Sequence, residues 1–449
     1  MTNINLTNVR NPNNQGIDKI PVIGAGYKVT FFMLVCCFAL WGLLNNMTDN
    51  LVPAFSKIYM MSAVDSSLVQ FAFYGSYACL AIPAAIIIKK FSFRHGLLVG
   101  LGLYMLGALG YIPAAITQNY NIFLVSIFIL AGGLSVLETT CNPYVLALGD
   151  ERTSIRRINF AQAFNPLGSL TGLVIAKLVI LSHLNEATYE DRIAMPADEL
   201  EAIRTSELFW ICVPYVGLIA VAAVIWLFFF RSKSTEKDTG GDLNLGSSLS
   251  KLLSNKKYVW GVIAQFFYVG MQIAVWTWMV KFVMTLRTEL NEAEAVDMYL
   301  YAVILFIAMR WICTYLMKLI VPARLMAIIG VVGIGVTLGA IYLPAKQAIF
   351  CLVCISGAMS LMFPTIYGIA LKGLGEEVKL GAAGLIMAII GGAIITPYMG
   401  SCIDNGTFSF LAPMYEGVEA AVRTSYFVPV ICLLVIVGYA FANWKKAED

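Results

Sequence analysis

Residues 231–257 read RSKSTEKDTGGDLNLGSSLSKLLSNKK. In a chain that is 59% hydrophobic and only 13% charged, this stretch is polar, basic and rich in Gly and Ser. That is the composition of a linker. It falls near the middle of the 449 residues, and on both sides apolar runs of about 20 residues recur, long enough to cross a hydrocarbon core of roughly 30 Å. Six spans are expected before it, near 28–56, 64–88, 96–117, 121–149, 158–183 and 207–231. Six more are expected after it, near 258–286, 296–320, 322–343, 347–374, 379–402 and 421–444.

The mean hydropathy of +0.78 agrees with this count; a soluble chain of this length needs more charge to cover its surface. The fold class is therefore all-α integral membrane: twelve transmembrane helices in two six-helix halves, the arrangement of a major facilitator transporter. The expected parts are a polar tail at 1–27, a first bundle at 28–231, the linker at 232–257, and a second bundle with a short tail at 258–449. The polar start MTNINLTNVRNPNNQGIDK lacks the basic and apolar regions of a signal peptide. A weak internal repeat relates the halves: the fourth span ends in VLALGDE and the tenth in LKGLGEE, placing Gly149 and Gly375 at matching positions. Parallel halves of this kind hold substrate at their interface near the bilayer midplane.

Lys and Arg set the orientation. With the N-terminus inside, most of the 30 basic residues fall in cytoplasmic segments, whereas the loop NEATYEDRIAMPADELEAIRTSE between the fifth and sixth spans is acidic. Both termini and the linker are thus expected in the cytoplasm. The net charge of +3 gives no nucleic-acid signal. The ten cysteines lie within apolar segments, and the C-x-x-C at Cys351 and Cys354 has no second pair or nearby His to make a metal site. Nor does a nucleophile–base set suggest a membrane enzyme.

Ionisable residues inside spans are costly and usually face a cavity or a partner. Here they are Asp49, Glu138 and Arg310. Glu138 interrupts the apolar run VSIFILAGGLSVLETTCNPYVLAL past the middle of its span. Asp49, in WGLLNNMTDN, lies in the outer third of the first span or at its exit. Arg310 sits about halfway along the eighth span and is a candidate gate residue. Amides and aromatics complete the set. Asn45 and Asn46 are on the first span, and Gln162 and Asn165 stand one turn apart in NFAQAFNPLG. Gln265, Tyr268, Gln272 and Trp276 form one helical stripe in AQFFYVGMQIAVWTW. Sugars need this combination, since their hydroxyls pair with amides and carboxylates while their apolar faces pack on rings. Such residues also glue membrane helices together.

Taken together, ALWGLLNNMTDNLVPAF, PAAIIIKKFSFRHGLLVGLGLY, VLETTCNPYVLALG, NFAQAFNPLG, AQFFYVGMQIAVWTW, FPTIYGIALKGLG and IIGGAIITPYMG resemble the fucose:proton symporter family of the major facilitator superfamily along almost the whole chain. Ala85 stands where that family's basic loop motif would carry Gly, which bears on helix packing rather than on function. The resemblance implies that Asp49 and Glu138 handle the coupled proton, that Gln162 and Asn165 bind sugar, and that NNMTDN lines the cavity mouth. It implies no cofactor, a monosaccharide substrate (L-fucose first, galactose or glucose next), a bacterial inner membrane and a functional monomer. Desolvation favours the neutral form of a carboxylic acid, so protonation and sugar binding together remove the unpaired groups that oppose closure. Two alternatives stay open: sodium coupling, for which Asp49, Asn45, Asn46 and Thr48 offer oxygens, and a sensor that binds sugar without moving it. His95 in a loop and His183 at a helix end do not favour an imidazole carrier.

Overall fold

A computed structural model describes residues 20–49, 51–61, 63–185, 187, 189–232, 245–290 and 292–444. Among the described residues, twelve helices are long and apolar enough to cross a membrane. Those before the linker are Lys28–Asn45, Phe71–Lys90, Phe93–Ile116, Tyr120–Ala147, Glu151–His183 and Ala197–Arg231. Those after it are Lys256–Leu286, Glu294–Leu316, Pro322–Tyr342, Ala345–Leu371, Gly375–Asn405 and Gly417–Ala442. They are numbered one to twelve below.

Several boundaries differ from those read off hydropathy. The first helix runs Lys28–Asp49, and a second, Leu51–Tyr59, continues after it. The sixth span begins at Ala197, ten residues before the apolar run, because Asp198 and Glu199 in its first turn favour a helix start electrostatically despite their polarity. Inside the expected linker, Leu245–Ser254 forms a short helix, and its Ser248 side chain is buried.

Four spans are interrupted: the eleventh by a 3-10 turn at Ala388–Ile390, the twelfth between Gly417–Ser425 and Phe427–Ala442, and the two that bear on the site. The fifth divides into Ser154–Gln162 and Phe164–Ile175, and the tenth into Ala345–Met359 and Met362–Leu371. Breaks at membrane depth leave backbone groups without helical partners, so they persist only where protein or a cavity satisfies them. Beyond its break, the fifth span packs backbone to backbone on the first. A Cβ on Gly168 would lie 1.9 Å from the Ala39 carbonyl oxygen, and one on Gly172 would lie 2.2 Å from that of Leu43. Only glycine permits this approach, and it holds Trp41 and Asn45 of the first span beside Asn165 and Ser169 of the fifth.

The two halves meet most closely at the linker end. There Lys89 of the second span reaches Glu377 of the eleventh at 3.1 Å and also bonds Ser248 of the linker helix. Asn159 of the fifth span donates to Thr365 Oγ1 of the tenth at 3.2 Å. Gly368 packs so closely on Ile155 that a Cβ would come within 2.9 Å of its Cγ1. Lys379 lies 5.0 Å from the Phe93 ring centroid, another contact across the halves.

Candidate sugar and proton site

A cavity of about 410 Å³ lies between the halves. On the fifth span its lining starts at Gln162 and continues to Leu173, away from the linker end; on the eighth it runs from Tyr299 to Arg310. It is therefore closed towards the linker and extends towards the opposite face. Its polar residues include Asn45, Glu138, Gln162, Asn165, Gln272 and Arg310, and rings surround them: Trp41, Phe73 and Tyr74 from the first half, Tyr268, Trp276, Tyr299, Phe306 and Phe363 from the second.

The sequence-predicted set thus converges, with one correction and two positions outside view. Gln265 is fully buried, does not line the cavity, and neither amide atom has a partner among the described residues. It shares a helix face with Tyr268 but sits one turn nearer the linker, where the halves are closed. Periodicity fixes a face and says nothing of depth. The side chains of Asn46 and Asp49 lie outside the described residues, although Asp49 ends the first helix.

Glu138 is 2% exposed, and neither carboxyl oxygen has a hydrogen-bond partner among the described residues. A carboxylate without a counter-ion at that depth costs several kcal/mol relative to water, a cost that binding one proton removes. Trp276 is pinned by its Nε1–H to Ser356 Oγ at 3.0 Å and meets Phe306 edge-on at 5.2 Å, giving a rigid aromatic wall. Asn165 donates to the Phe38 carbonyl at 3.3 Å.

Arg310 forms the floor. Its Nε donates to the Ser360 carbonyl at 2.6 Å and its Nη1 to the Gln162 carbonyl at 3.1 Å, with the guanidinium over the Phe306 ring at 4.6 Å. Both acceptors are orphans for the same reason. Four residues after Gln162 stands Pro166, and four after Ser360 stands Pro364; neither proline has the N–H that would close the helical bond. One guanidinium fork thus satisfies two proline-freed carbonyls, one from each half.

Asn142 was not singled out from the sequence. It accepts from Gln162 Nε2 at 2.7 Å and donates to the Glu138 carbonyl at 3.1 Å. An amide one helical turn after a lone buried carboxylate was the available signal. Among the described residues no group of three or more His, Cys, Asp or Glu could hold a metal ion, and Cys351 and Cys354 are unbridged.

Known proteins agree with this architecture. Residues 30–397 match the Major Facilitator Superfamily. The chain is 40% identical to the L-fucose-proton symporter of Haemophilus influenzae over 94% of this chain and 98% of that one. It is 28% identical to a glucose/galactose transporter of Brucella abortus, over 94% and 95%. A crystal structure of the E. coli fucose:proton symporter superposes with a TM-score of 0.84 at 30% identity, covering 93% of this chain and 98% of that one.

Proposed function

Because the chain belongs to the Major Facilitator Superfamily and, within it, to the L-fucose-proton symporter family, we propose that it carries L-fucose inward together with a proton by alternating access. It is a multi-pass membrane transporter and not an enzyme. The observation that carries the reading is a carboxyl with no hydrogen-bond partner among the described residues, Glu138, in the same cavity as the amides of Asn45, Gln162, Asn165 and Gln272 and the rings of Tyr268 and Trp276. On the family resemblance alone, Asp49 is assigned a share in proton handling and Asn46 a share in sugar binding. The aromatic wall suits the apolar face and methyl group of a 6-deoxy sugar.

The protein resides in the bacterial inner membrane as a functional monomer, with both termini and the linker in the cytoplasm. In that orientation the described state is open outward and closed inward. The cycle starts with Glu138 protonated and sugar bound, which removes the uncompensated charge and completes the amides' hydrogen bonds. Arg310 then leaves the Gln162 carbonyl as the halves rock, and sugar and proton depart on the inner side.

Uptake into proteoliposomes across a panel of monosaccharides, under imposed proton or sodium gradients, tests this. Accumulation of L-fucose should follow an inward proton gradient and alkalinise the external medium. Sodium dependence at clamped pH without proton movement would overturn proton coupling. It would favour the alternative of a sodium-coupled glucose/galactose symporter, which the likeness to the Brucella transporter keeps in play. Binding with no flux at all would leave a sugar sensor.

A further inference from the structure

We propose that Asn142 is a positioning residue that holds Gln162 by its Nε2, so that the Gln162 Oε1 faces the sugar as a hydrogen-bond acceptor. The proposal rests on the sugar-transport reading and adds to it the polarity of one sugar contact. Asn142 is fully buried and does not line the cavity, so it does not touch substrate. Its partners settle which way each amide faces. The Glu138 carbonyl can only accept, so the atom of Asn142 that meets it at 3.1 Å is Nδ2. Oδ1 is left to face Gln162, and an acceptor there requires Gln162 to present Nε2, at 2.7 Å. Amide orientation is ordinarily ambiguous; here a backbone carbonyl at the end of the chain removes the ambiguity.

With one Nε2–H committed to Asn142, Gln162 Oε1 is the acceptor that remains for the cavity. A carbonyl oxygen accepts from a sugar O–H and repels an oxygen or fluorine that brings no hydrogen. The same chain of contacts gives Asn142 a second effect. It ties the turn carrying Glu138 to the side chain of Gln162, while the Gln162 main chain holds Arg310. Proton carrier, sugar amide and floor are thereby linked through adjacent bonds, with Asn142 in the middle.

The test uses the full-length transporter in detergent or proteoliposomes, with L-fucose and its mono-deoxyfluoro analogues as probes. In the wild type, replacing the hydroxyl that faces Gln162 by fluorine should weaken binding about tenfold or more, as expected for an acceptor left unmatched. Asn142→Leu removes both bonds in a similar volume and frees Gln162 to rotate and donate through Nε2. The penalty for fluorine at that position should shrink towards none, and Gln162→Ala should then add little to Asn142→Leu. An unchanged fluorine penalty in Asn142→Leu, or independent and multiplying effects of the two substitutions, would overturn the proposal. If Asn142→Leu fails to fold, Asn142→Ala, which removes the same two bonds, takes its place: the proposal stands if the fluorine penalty shrinks in that variant and falls if the penalty is unchanged. The comparison is made on whichever monosaccharide of the panel the wild type binds. Failure to bind L-fucose thus overturns the substrate reading, while this assignment is decided by its own readout.

Discussion

The fourth and tenth spans occupy matching places in the two halves and have become opposites. The register that pairs Gly149 with Gly375 also pairs Glu138 with Pro364 and Asn142 with Gly368. In the first half those positions carry a carboxyl and an amide on an unbroken helix, Tyr120–Ala147. In the second they carry the proline at the head of a restarted helix and the glycine that lets Ile155 approach. The first half thus holds the group that can change charge, and the second supplies a hinge and a contact surface. Arg310 joins the two roles, since its acceptors are the carbonyls freed at the breaks of the fifth and tenth spans. A titratable group on a rigid helix keeps its depth, whereas a broken helix can change shape around it.

The sharpest way to break this comparison is Glu138→Gln. If the fourth span alone carries the coupled proton, the variant should still bind and exchange sugar, because the amide preserves shape. Net uphill accumulation should be lost altogether. Counterflow and gradient-driven uptake in the same proteoliposomes separate the two. Accumulation at the wild-type level would show that Glu138 is not the carrier and would transfer that role to Asp49.

Next in size is Arg310→Met, which leaves two proline-freed carbonyls without a donor. Each unsatisfied group costs roughly 1–3 kcal/mol, and the loss falls on the state closed at the linker end. Spin labels at the exposed positions Arg152 and Lys256 should report longer distances. Arg310→Lys should recover only part, because an ammonium has no fork to span both acceptors. Unchanged distances would mean that Arg310 does not clasp the halves.

Gly368→Leu probes the other side of the comparison. A side chain there meets Ile155, and overpacking of this kind costs about 1–3 kcal/mol. The same label pair should separate, and Ile155→Ala should reverse the shift; a shift that Ile155→Ala leaves in place would locate the strain elsewhere. The smallest effect is expected from Lys89→Met. The Lys89–Glu377 pair is largely shielded, but Glu377 keeps Lys251 at 3.6 Å, so its carboxylate is not stranded and the loss should stay at about 1 kcal/mol, below the roughly 3–5 kcal/mol of a buried charge left alone. A several-fold change in the closed population is the upper bound, and a larger one would make this pair, not Arg310, the main fastening.

These contrasts were legible in the sequence to different depths. The spans and Glu138 stand out because hydropathy and a lone charge are properties of a single helix. Gln265 was misplaced since helical spacing assigns a face, while closure of the halves decides how far along that face the cavity reaches. The sixth span was read short because its first turns are charged and project beyond the apolar run. Pro166 and Pro364 announce by spacing alone that the carbonyls of Gln162 and Ser360 lack helical donors. That Arg310, from a third helix, answers both is a fact of tertiary assembly that no local pattern contains. Asn142 could have been found by asking what stands one turn from Glu138.

The helix inside the linker bears on the chain as a piece of synthesis. Leu245–Ser254 follows the stretch 233–244 directly, and through Ser248 it is fastened to Lys89 of the first half. Were the polypeptide cut within 233–244, the downstream fragment would carry this fastening on its own leading end. What the cut removes is the tether, whose contribution is a high effective concentration of one half near the other. Two fragments made in the same membrane already share a thin layer, and the seam of Lys89, Ser248 and Glu377 gives them a place to register. The transporter should therefore be expressible as two separate chains that find each other, with Ser248→Ala impairing the pair more than the intact protein.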